Sequence, residues 1–204
     1  MKCGTSSARN VIFLLSITVL MVAGCSNSND ETEPGNESTS QRPSMAATVS
    51  SAPAQDSGGR TDVSFDPCVE IADATVERAG FDPATRRRAD QVHTGYAFIG
   101  CDFERKEFVR GQSLGVGSLT ISSVNLGLDD FRKREGSNAQ EIKINGRAAV
   151  TYQKPQGEAC FVVMTGPDGV IDLMVDSTSA LTQWRACDHA QEIAEIIEST
   201  IPKY

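Results

Sequence analysis

Residues 141–153 read EIKINGRAAVTYQ and contain the clearest structural signal in the chain. Asn145-Gly146 is typical of a two-residue β-hairpin turn, because both central positions of a type I′ turn need a positive φ that Asn and Gly tolerate. The flanking residues 141–144 and 147–153 have strand character. We therefore predict an antiparallel hairpin here.

The chain downstream continues this pattern. Turn signals at Pro155-Gln156-Gly157 and Pro167-Asp168-Gly169 separate two further predicted strands, residues 159–165 and 170–175. A long helix is predicted from about Leu181 to Ser199. Its apolar residues recur at helical spacing and form one stripe. The members of that stripe are Trp184, Cys187, Ala190, Ile193, Ala194, Ile197 and Ile201.

The chain upstream supplies the remaining elements. Asp66 can cap a helix that begins at Pro67 and ends before Gly80. Residues 81–94 are predicted to be a turn or short helical piece in solvent. Strands are predicted near residues 96–103 and 114–124, and a short amphipathic helix at 129–135, whose Arg132-Lys133-Arg134 run forms its polar side.

Together these elements predict an α+β fold. We expect an antiparallel sheet of five to six strands, with an N-terminal helix and a long C-terminal helix packed on one face.

The six cysteines indicate export. Cys3 and Cys25 lie near the N-terminus, and four remain in the body: Cys68, Cys101, Cys160 and Cys187. An even count in an extracytoplasmic domain predicts two disulfides. Of the three possible pairings we favour Cys68–Cys101 and Cys160–Cys187, because each closes a modest loop within one half of the body. Zinc binding is the alternative, but no pair has Cys-x-x-Cys spacing.

The N-terminus has the layout of a secretory signal. Lys2 and Arg9 precede an apolar run over residues 11–22, which is short for a membrane-spanning helix. Ala23-Gly24-Cys25 resembles the lipobox of bacterial lipoproteins, in which the cysteine is acylated and becomes the first mature residue. The alternative is an ordinary secreted protein with a chance cysteine.

Composition then divides the chain into three parts. We predict a signal peptide over residues 1–24, a disordered polar tether over 25–60 and a disulfide-braced domain over 61–204. The formal net charge of −8 argues against nucleic acid as a partner. It also argues against broad adhesion to anionic lipid, so acyl chains on Cys25 would be the main anchor.

Several short motifs are distributed along the whole body. They are Asp66-Pro67-Cys68, Ala79-Gly80, Gly100-Cys101-x-Phe103, Cys160 on a strand and Cys187-x-x-Ala190 in the terminal helix. With the lipobox and tether, this order resembles the small actinobacterial lipoproteins of domain-of-unknown-function family three-five-five-eight, over about residues 63–202. Phe103 stands where that family more often has Trp. The resemblance implies an extracytoplasmic lipoprotein with two disulfides and no established activity.

Catalytic patterns are weak. Gly111-Gln112-Ser113-Leu114-Gly115 matches the nucleophile-elbow pattern, but a strand-like run follows it where the elbow requires a helix. The chain has two histidines, His93 and His189, and no carboxylate cluster surrounds either at metal-ligand spacing. His189 and Glu192 could place two ligands on one helical face, but a third is missing. We expect neither an enzyme nor a bound cofactor or metal.

Arg86, Arg87 and Arg88 are the candidate ligand-binding residues, for an anionic headgroup or an acidic patch, with a solvated loop as the plainer interpretation. The predicted function is a non-catalytic binding module for an envelope protein or component, anchored on the outer face of the cytoplasmic membrane. The alternative is a carrier or sensor of a small or lipidic ligand. Small residues at 115, 117, 148, 149 and 159 could leave a cavity for it between sheet and helices. The oligomeric state is left open.

Overall fold

The computed structural model describes residues 45–154 and 157–203. The predicted hairpin is present: Asn145 and Gly146 have φ values of 47° and 93°, and Ile144 pairs with Arg147 beside the turn. The helices and strands of the described chain are α1 Pro67–Glu70, α2 Asp73–Arg78, β1 Asp82–Arg88, β2 Gln91–His93, β3 Tyr96–Val109, β4 Gln112–Val124, α3 Leu128–Glu135, β5 Gln140–Ile144, β6 Arg147–Gln153, β7 Cys160–Gly166, β8 Gly169–Ser177 and α4 Ala186–Glu198.

All strand pairs in the sheet are antiparallel, and the order is β1-β3-β4-β8-β7-β6-β5, with β2 also paired to β3. The sheet therefore has eight strands, and the expectation of five to six was too low. The two additional strands, β1 and β2, come from residues 81–94, which were expected to be a turn or helical piece in solvent. That segment has no apolar alternation, and β1 pairs irregularly with β3, so its strand character was not visible locally.

The main core lies between the sheet and three helices on one face. Side chains from α1, α2 and α4 meet alternate residues of the central strands, including Leu119, Ile121, Val162 and Leu173. The predicted placement of the N-terminal and C-terminal helices on one face is confirmed in this packing. The short helix α3 lies on the opposite face, where Leu128 and Phe131 join a second buried cluster with residues of β4, β6, β7 and β8.

The predicted N-terminal helix is two helices. Asp66 caps α1 by accepting a hydrogen bond from the Cys68 amide, as the sequence indicated. The helix then ends, and α2 begins at Asp73. The C-terminal helix begins at Ala186, five positions after the predicted start at Leu181. Trp184 therefore lies before the helix, with Arg105 stacked over its ring at 4.7 Å.

Both disulfides have the predicted pairing. Cys68–Cys101 joins α1 to β3 with a Cα–Cα distance of 4.9 Å, and Cys160–Cys187 joins β7 to the first turn of α4 with a distance of 5.2 Å. Each bridge therefore fastens a helix to the sheet.

The domain begins earlier than residue 61. Residues 45–60, assigned by composition to the tether, lie along the body and form a segment that we call the strap. Val49 packs against the main core and Ala52 against a small cluster with Ala97. The Gln55 side chain exchanges two 2.9 Å hydrogen bonds with the Val63 backbone. The predicted signal peptide and Cys25 lie outside the described residues.

Candidate functional site: an open pocket on the helix-poor face of the sheet

A pocket of about 230 Å³ opens beside α3, on the face away from the other three helices. Its walls combine aromatic rings with ionisable and hydroxyl side chains. The lining residues are Gln91, Phe98, Thr120, Ser122, Arg134, Tyr152, Lys154, Phe161, Asp172 and Met174.

Strand register brings the central groups together. Asp172 in β8 lies opposite Ser122 in β4 and Val163 in β7. Because side chains alternate along a strand, Asp172 shares its face with Met174, which is paired to Phe161. Phe161 in turn is paired to Tyr152 in β6. These residues are far apart in the sequence, and the sheet places them on one surface.

Asp172 is the electrostatic centre of the pocket. Its Oδ1 atom is enclosed and accepts no hydrogen bond within the described part of the chain. Burial raises the pKa of this carboxyl to about 7, against the opposing effect of the positive charges on Arg134 and Lys154. A buried acceptor without a donor is unfavourable by about 1 to 3 kcal/mol. The Oδ1 atom of Asp172 is therefore available to accept a hydrogen bond.

Tyr152 and Phe161 form the aromatic wall. Their rings stack with centroids 4.8 Å apart and planes 3° from parallel. The Tyr152 hydroxyl accepts a 2.8 Å hydrogen bond from Arg134 Nη2, and burial raises the pKa of this phenol above its usual range. The hydroxyl is therefore protonated at neutral pH and can act as a donor. Lys154 Nζ lies 5.1 Å from the Phe161 ring centre.

Arg134 links α3 to this wall. Its guanidinium lies 4.4 Å from the ring centre of Phe131, on the same helix, and pairs with Glu135 at 2.6 Å. The run Arg132-Lys133-Arg134 predicts a polar side of the helix that includes Arg134. In the structure its aliphatic stem and charge bridge the helix to Tyr152, so one end of α3 borders the pocket.

The three candidate arginines lie elsewhere, on β1, and each has carboxylate partners within the chain. The Arg86 side chain is 0% exposed and pairs with Asp73 at 2.6 Å. Arg88 is 14% exposed and pairs with Asp66 and Asp90. The expected solvated loop is therefore wrong for both of them, because their charges are compensated inside the fold.

Arg87 differs from its two neighbours. Its side chain is 54% exposed, and it pairs with Asp102 and Glu104 on β3. Of the three candidates it presents the most charge to solvent. Its partners lie on the adjacent strand.

The weak catalytic motif is a hairpin turn. Arg110 and Gly111 occupy positive φ values of 51° and 84°, and Ser113 is an exposed residue of strand β4. A nucleophile elbow needs a helix after its serine, and this serine is followed by eleven more strand residues. His189 stacks on Trp184 with ring centres 5.5 Å apart, and His93 stacks on Tyr96 at 4.7 Å.

One of the small residues, Gly117, can be assigned a role, and Gly115 cannot. A Cβ at Gly117 would lie 2.5 Å from the Asp176 carbonyl oxygen and 3.1 Å from the Trp184 ring, so this glycine allows close packing. A Cβ at Gly115 would make ordinary contact with Glu104 at 3.5 Å.

Across the described ranges, no three His, Cys, Asp or Glu side chains are grouped so that they could hold a metal ion. Nor does any helix in that part of the chain have the length and apolar character to cross a membrane.

One protein-family model matches most of the chain. The family model described as "Protein of unknown function (DUF3558)" matches residues 20–200. The chain belongs to DUF3558. This confirms the family suggested by the cysteine frame and its neighbouring motifs. No curated protein and no solved structure matches the chain.

The structure explains one motif of the DUF3558 resemblance. In Gly100-Cys101-x-Phe103, a Cβ on Gly100 would lie 2.7 Å from Ser122 Oγ and 2.9 Å from the Ala89 carbonyl oxygen. Cys101 and Phe103 point to the opposite face, where both are 0% exposed in the main core. The glycine therefore lets the segment before β2 lie close to β3 while its neighbours fill the core.

Sequence reasoning missed the pocket of this DUF3558 protein. The usable signal was Asp172 itself, a lone charged residue inside the apolar run 170–175. Tyr152 and Phe161 were each placed on a predicted strand. Their register across β6, β7 and β8 was needed before the three could be recognised as neighbours.

Proposed function

We propose that this DUF3558 protein is a non-catalytic binding module held at the outer face of the cytoplasmic membrane by a lipid on Cys25. Its binding site is the pocket around Asp172, and its ligand is a small molecule or an end group of an envelope component that carries a hydrogen-bond donor. The observation that carries the proposal is that Asp172, whose side chain lines the pocket, has an enclosed Oδ1 atom. This atom accepts no hydrogen bond from the described residues.

The surrounding groups specify the kind of ligand. Asp172 offers an acceptor, whereas Lys154 and the Tyr152 hydroxyl offer donors, and Phe161 offers an apolar surface. A ligand with both donors and acceptors, such as a hydroxyl-rich or amide-containing group, complements this set. A donor from the ligand to Asp172 would replace a missing hydrogen bond, which is a strong source of specificity.

The pocket volume limits the size of that ligand. About 230 Å³ is below the range of roughly 300–1,000 Å³ found for pockets that enclose a drug-sized ligand. The site therefore suits a small metabolite, as in the carrier or sensor alternative, or the terminus of a larger envelope molecule. Both sources share the same chemistry at Asp172.

The proposed location comes from the sequence. Lys2 and Arg9, the apolar run over residues 11–22 and Ala23-Gly24-Cys25 favour a lipoprotein signal, and the two disulfides suit an oxidising compartment. The mass of the full chain, expressed with its signal in a bacterium, tests this part separately. Cleavage before Cys25 with an added diacylglycerol supports it, and an unmodified Cys25 contradicts it.

Native mass spectrometry tests the site. The mature chain from residue 25, with Cys25→Ala, is incubated with an extract of bacterial envelope lipids and metabolites. We expect a discrete added mass on the wild-type body. Asp172→Asn keeps the shape of the side chain but replaces one acceptor oxygen with a donor group, so we expect it to lose that mass.

Asp176→Asn is the matched control, since Asp176 lies on the same strand and face but does not line the pocket. This variant should retain the adduct. An adduct that persists in Asp172→Asn, or a wild-type protein that stays bare, contradicts the proposed site. The adduct mass distinguishes a free metabolite from a fragment of an envelope component.

A further inference from the structure

The hairpin between β3 and β4 extends beyond the strands on either side of it. These two strands remain paired as far as Val109 and Gln112. On one side β1 pairs with β3 only from Glu104 inwards, and on the other side β8 pairs with β4 only from Gly117 inwards. Residues 106–114, which we call the hairpin tip, therefore project from one end of the sheet.

The tip carries apolar side chains on both of its faces, Phe108 on one and Val109 and Leu114 on the other, and Arg110 lies at its apex. Phe108 is 79% exposed, and Leu181, in the loop before α4, lies beside the tip and is 38% exposed. Val109 and Leu114 are partly exposed and border the same groove as Leu181. Phe108 is the most exposed large apolar side chain of the described residues.

The charges around the tip are mostly neutralised within the chain. Lys106 pairs with Asp82 at 3.0 Å, and Glu107 pairs with Arg105 at 3.3 Å while also accepting a 2.8 Å hydrogen bond from Thr182. Arg110, in the turn itself, has no such partner in the described part of the chain. Among the described residues, the tip thus carries one positive charge without an ion-pair partner, on a protein whose formal net charge is −8.

The path of the strap places the N-terminal connection toward this end of the molecule. The Ala46 amide donates to the Asp73 carboxylate, at the level of β1, and the Gly95 amide donates to the Asp56 carbonyl at 2.7 Å, just before β3 begins. Since β3 runs from Gly95 toward the tip, the strap followed backwards runs toward the tip as well. Residues 25–44 connect Cys25 to the start of the strap, and a chain of this length can span no more than about 70 Å.

We propose that the hairpin tip rests on the bilayer that carries the lipid anchor, with Phe108 in the interface and Arg110 among anionic headgroups. This inference depends on the membrane anchoring of the proposed function for its orientation. A hairpin end with an exposed aromatic ring on one face, aliphatic side chains on the other and a basic residue in the turn has the composition of interfacial membrane contacts. Anionic lipid attracts a nearby cation, and repels the acidic remainder of the body, so contact is confined to the tip.

Vesicle sedimentation with the mature chain from residue 25, carrying Cys25→Ala, tests the tip without the anchor. The vesicles contain phosphatidylethanolamine and phosphatidylglycerol in a ratio of about 3:1, which provides a bilayer with negative surface charge. We expect the protein with native Phe108 to partition onto these vesicles. Phe108→Ser should lower the partition coefficient about tenfold, because one large apolar side chain is no longer buried in the interface. Arg110→Gln should also lower the partition coefficient, because it removes the cation that the anionic surface attracts.

Val92→Ser is the matched control, because Val92 is also an exposed apolar residue, at 37%, but lies on β2 near the opposite end of β3. It should leave partition unchanged. Equal partition of Phe108→Ser and wild type, or no partition of wild type at millimolar lipid, overturns the proposal. The mass of Cys25 in the signal-bearing chain reports on anchoring independently, so failure of the tip and failure of the anchor are distinguishable.

Discussion

Arg86 and Asp73 form an ion pair of 2.6 Å in which the arginine side chain is 0% exposed. The same guanidinium donates to the carbonyl oxygens of Cys68 and Ile71, at 3.1 Å and 3.0 Å, where α1 ends. Carbonyl groups at a helix C-terminus lack partners within the helix. Arg86 therefore satisfies the end of α1, holds the start of α2 and joins both to strand β1.

Replacing Arg86 with Met should destabilise the fold strongly. The change leaves Asp73 without its cationic partner and two carbonyl oxygens without the donor that Arg86 supplies, and breaking a buried ion pair in this way costs about 3 to 5 kcal/mol. Arg87→Met, at a side chain that is 54% exposed, should cost about 1 kcal/mol or less. Urea unfolding with the disulfides intact measures both. Similar losses for the two variants would contradict the role assigned to Arg86.

The stability of the protein should depend on the ionisation of Asp172. Burial raises its pKa to about 7 in the folded chain, whereas an unfolded aspartate titrates near 4. Between those values the folded state holds a proton that the unfolded state has released, so the free energy of unfolding falls as the pH rises through this range. Below it both states are protonated, and above it both are ionised.

Asp172→Asn removes this titration. We expect the variant to gain stability relative to wild type as the pH rises from about 4 to about 7, with no further change outside that window. Urea unfolding of both proteins across the range measures the difference. A difference that does not vary with pH would show that the carboxyl titrates normally. A bound donor ligand should lower the pKa of Asp172 and reduce the effect.

Gly100→Ala should destabilise the protein through steric overlap. Its Cβ would lie 2.7 Å from Ser122 Oγ and 2.9 Å from the Ala89 carbonyl oxygen, so the backbone has to move, at a cost of about 1 to 3 kcal/mol. Gly115→Ala on the neighbouring strand meets nothing closer than 3.5 Å and should be neutral or slightly stabilising. Thermal unfolding of the pair tests this, and Ser122→Ala should not rescue Gly100→Ala, because the carbonyl contact remains.

Removing the Cys160–Cys187 bridge should lower stability by about 3 to 4 kcal/mol, which the chain-entropy model gives for a loop of this length. The double variant Cys160→Ala/Cys187→Ala should also increase hydrogen exchange in the first turn of α4, which the bridge fastens to β7. Removing Cys68–Cys101 should cost more, because both sulfurs are 0% exposed and their loss leaves a cavity. Unfolding under non-reducing conditions, with exchange measured by mass spectrometry, tests both.

Much of the fold could be predicted because its signals are local. The Asn145-Gly146 turn, the alternation in β6 to β8 and the apolar stripe of α4 each depend on residues that are neighbours in the chain. The pairing of cysteines also followed from modest loop lengths. Strand β1 was missed because Arg86 and its neighbours carry charge, and only partners from α1, α2 and β3 compensate them. Strand β2 was missed because it is three exposed residues long and has no buried face.

The candidate site could not be predicted from local sequence signals either, because its residues are brought together only by tertiary contacts. Asp172, Tyr152 and Phe161 come from three strands, and nothing in any one strand indicates that they share a pocket. By itself, the sequence determined the turns, the alternating strands, the disulfide frame and the family, since each depends on short spacing or on residue type. The tertiary structure decided which charges are paired and which carboxyl is left without a donor, because desolvation and hydrogen bonding depend on groups that only the folded sheet brings together.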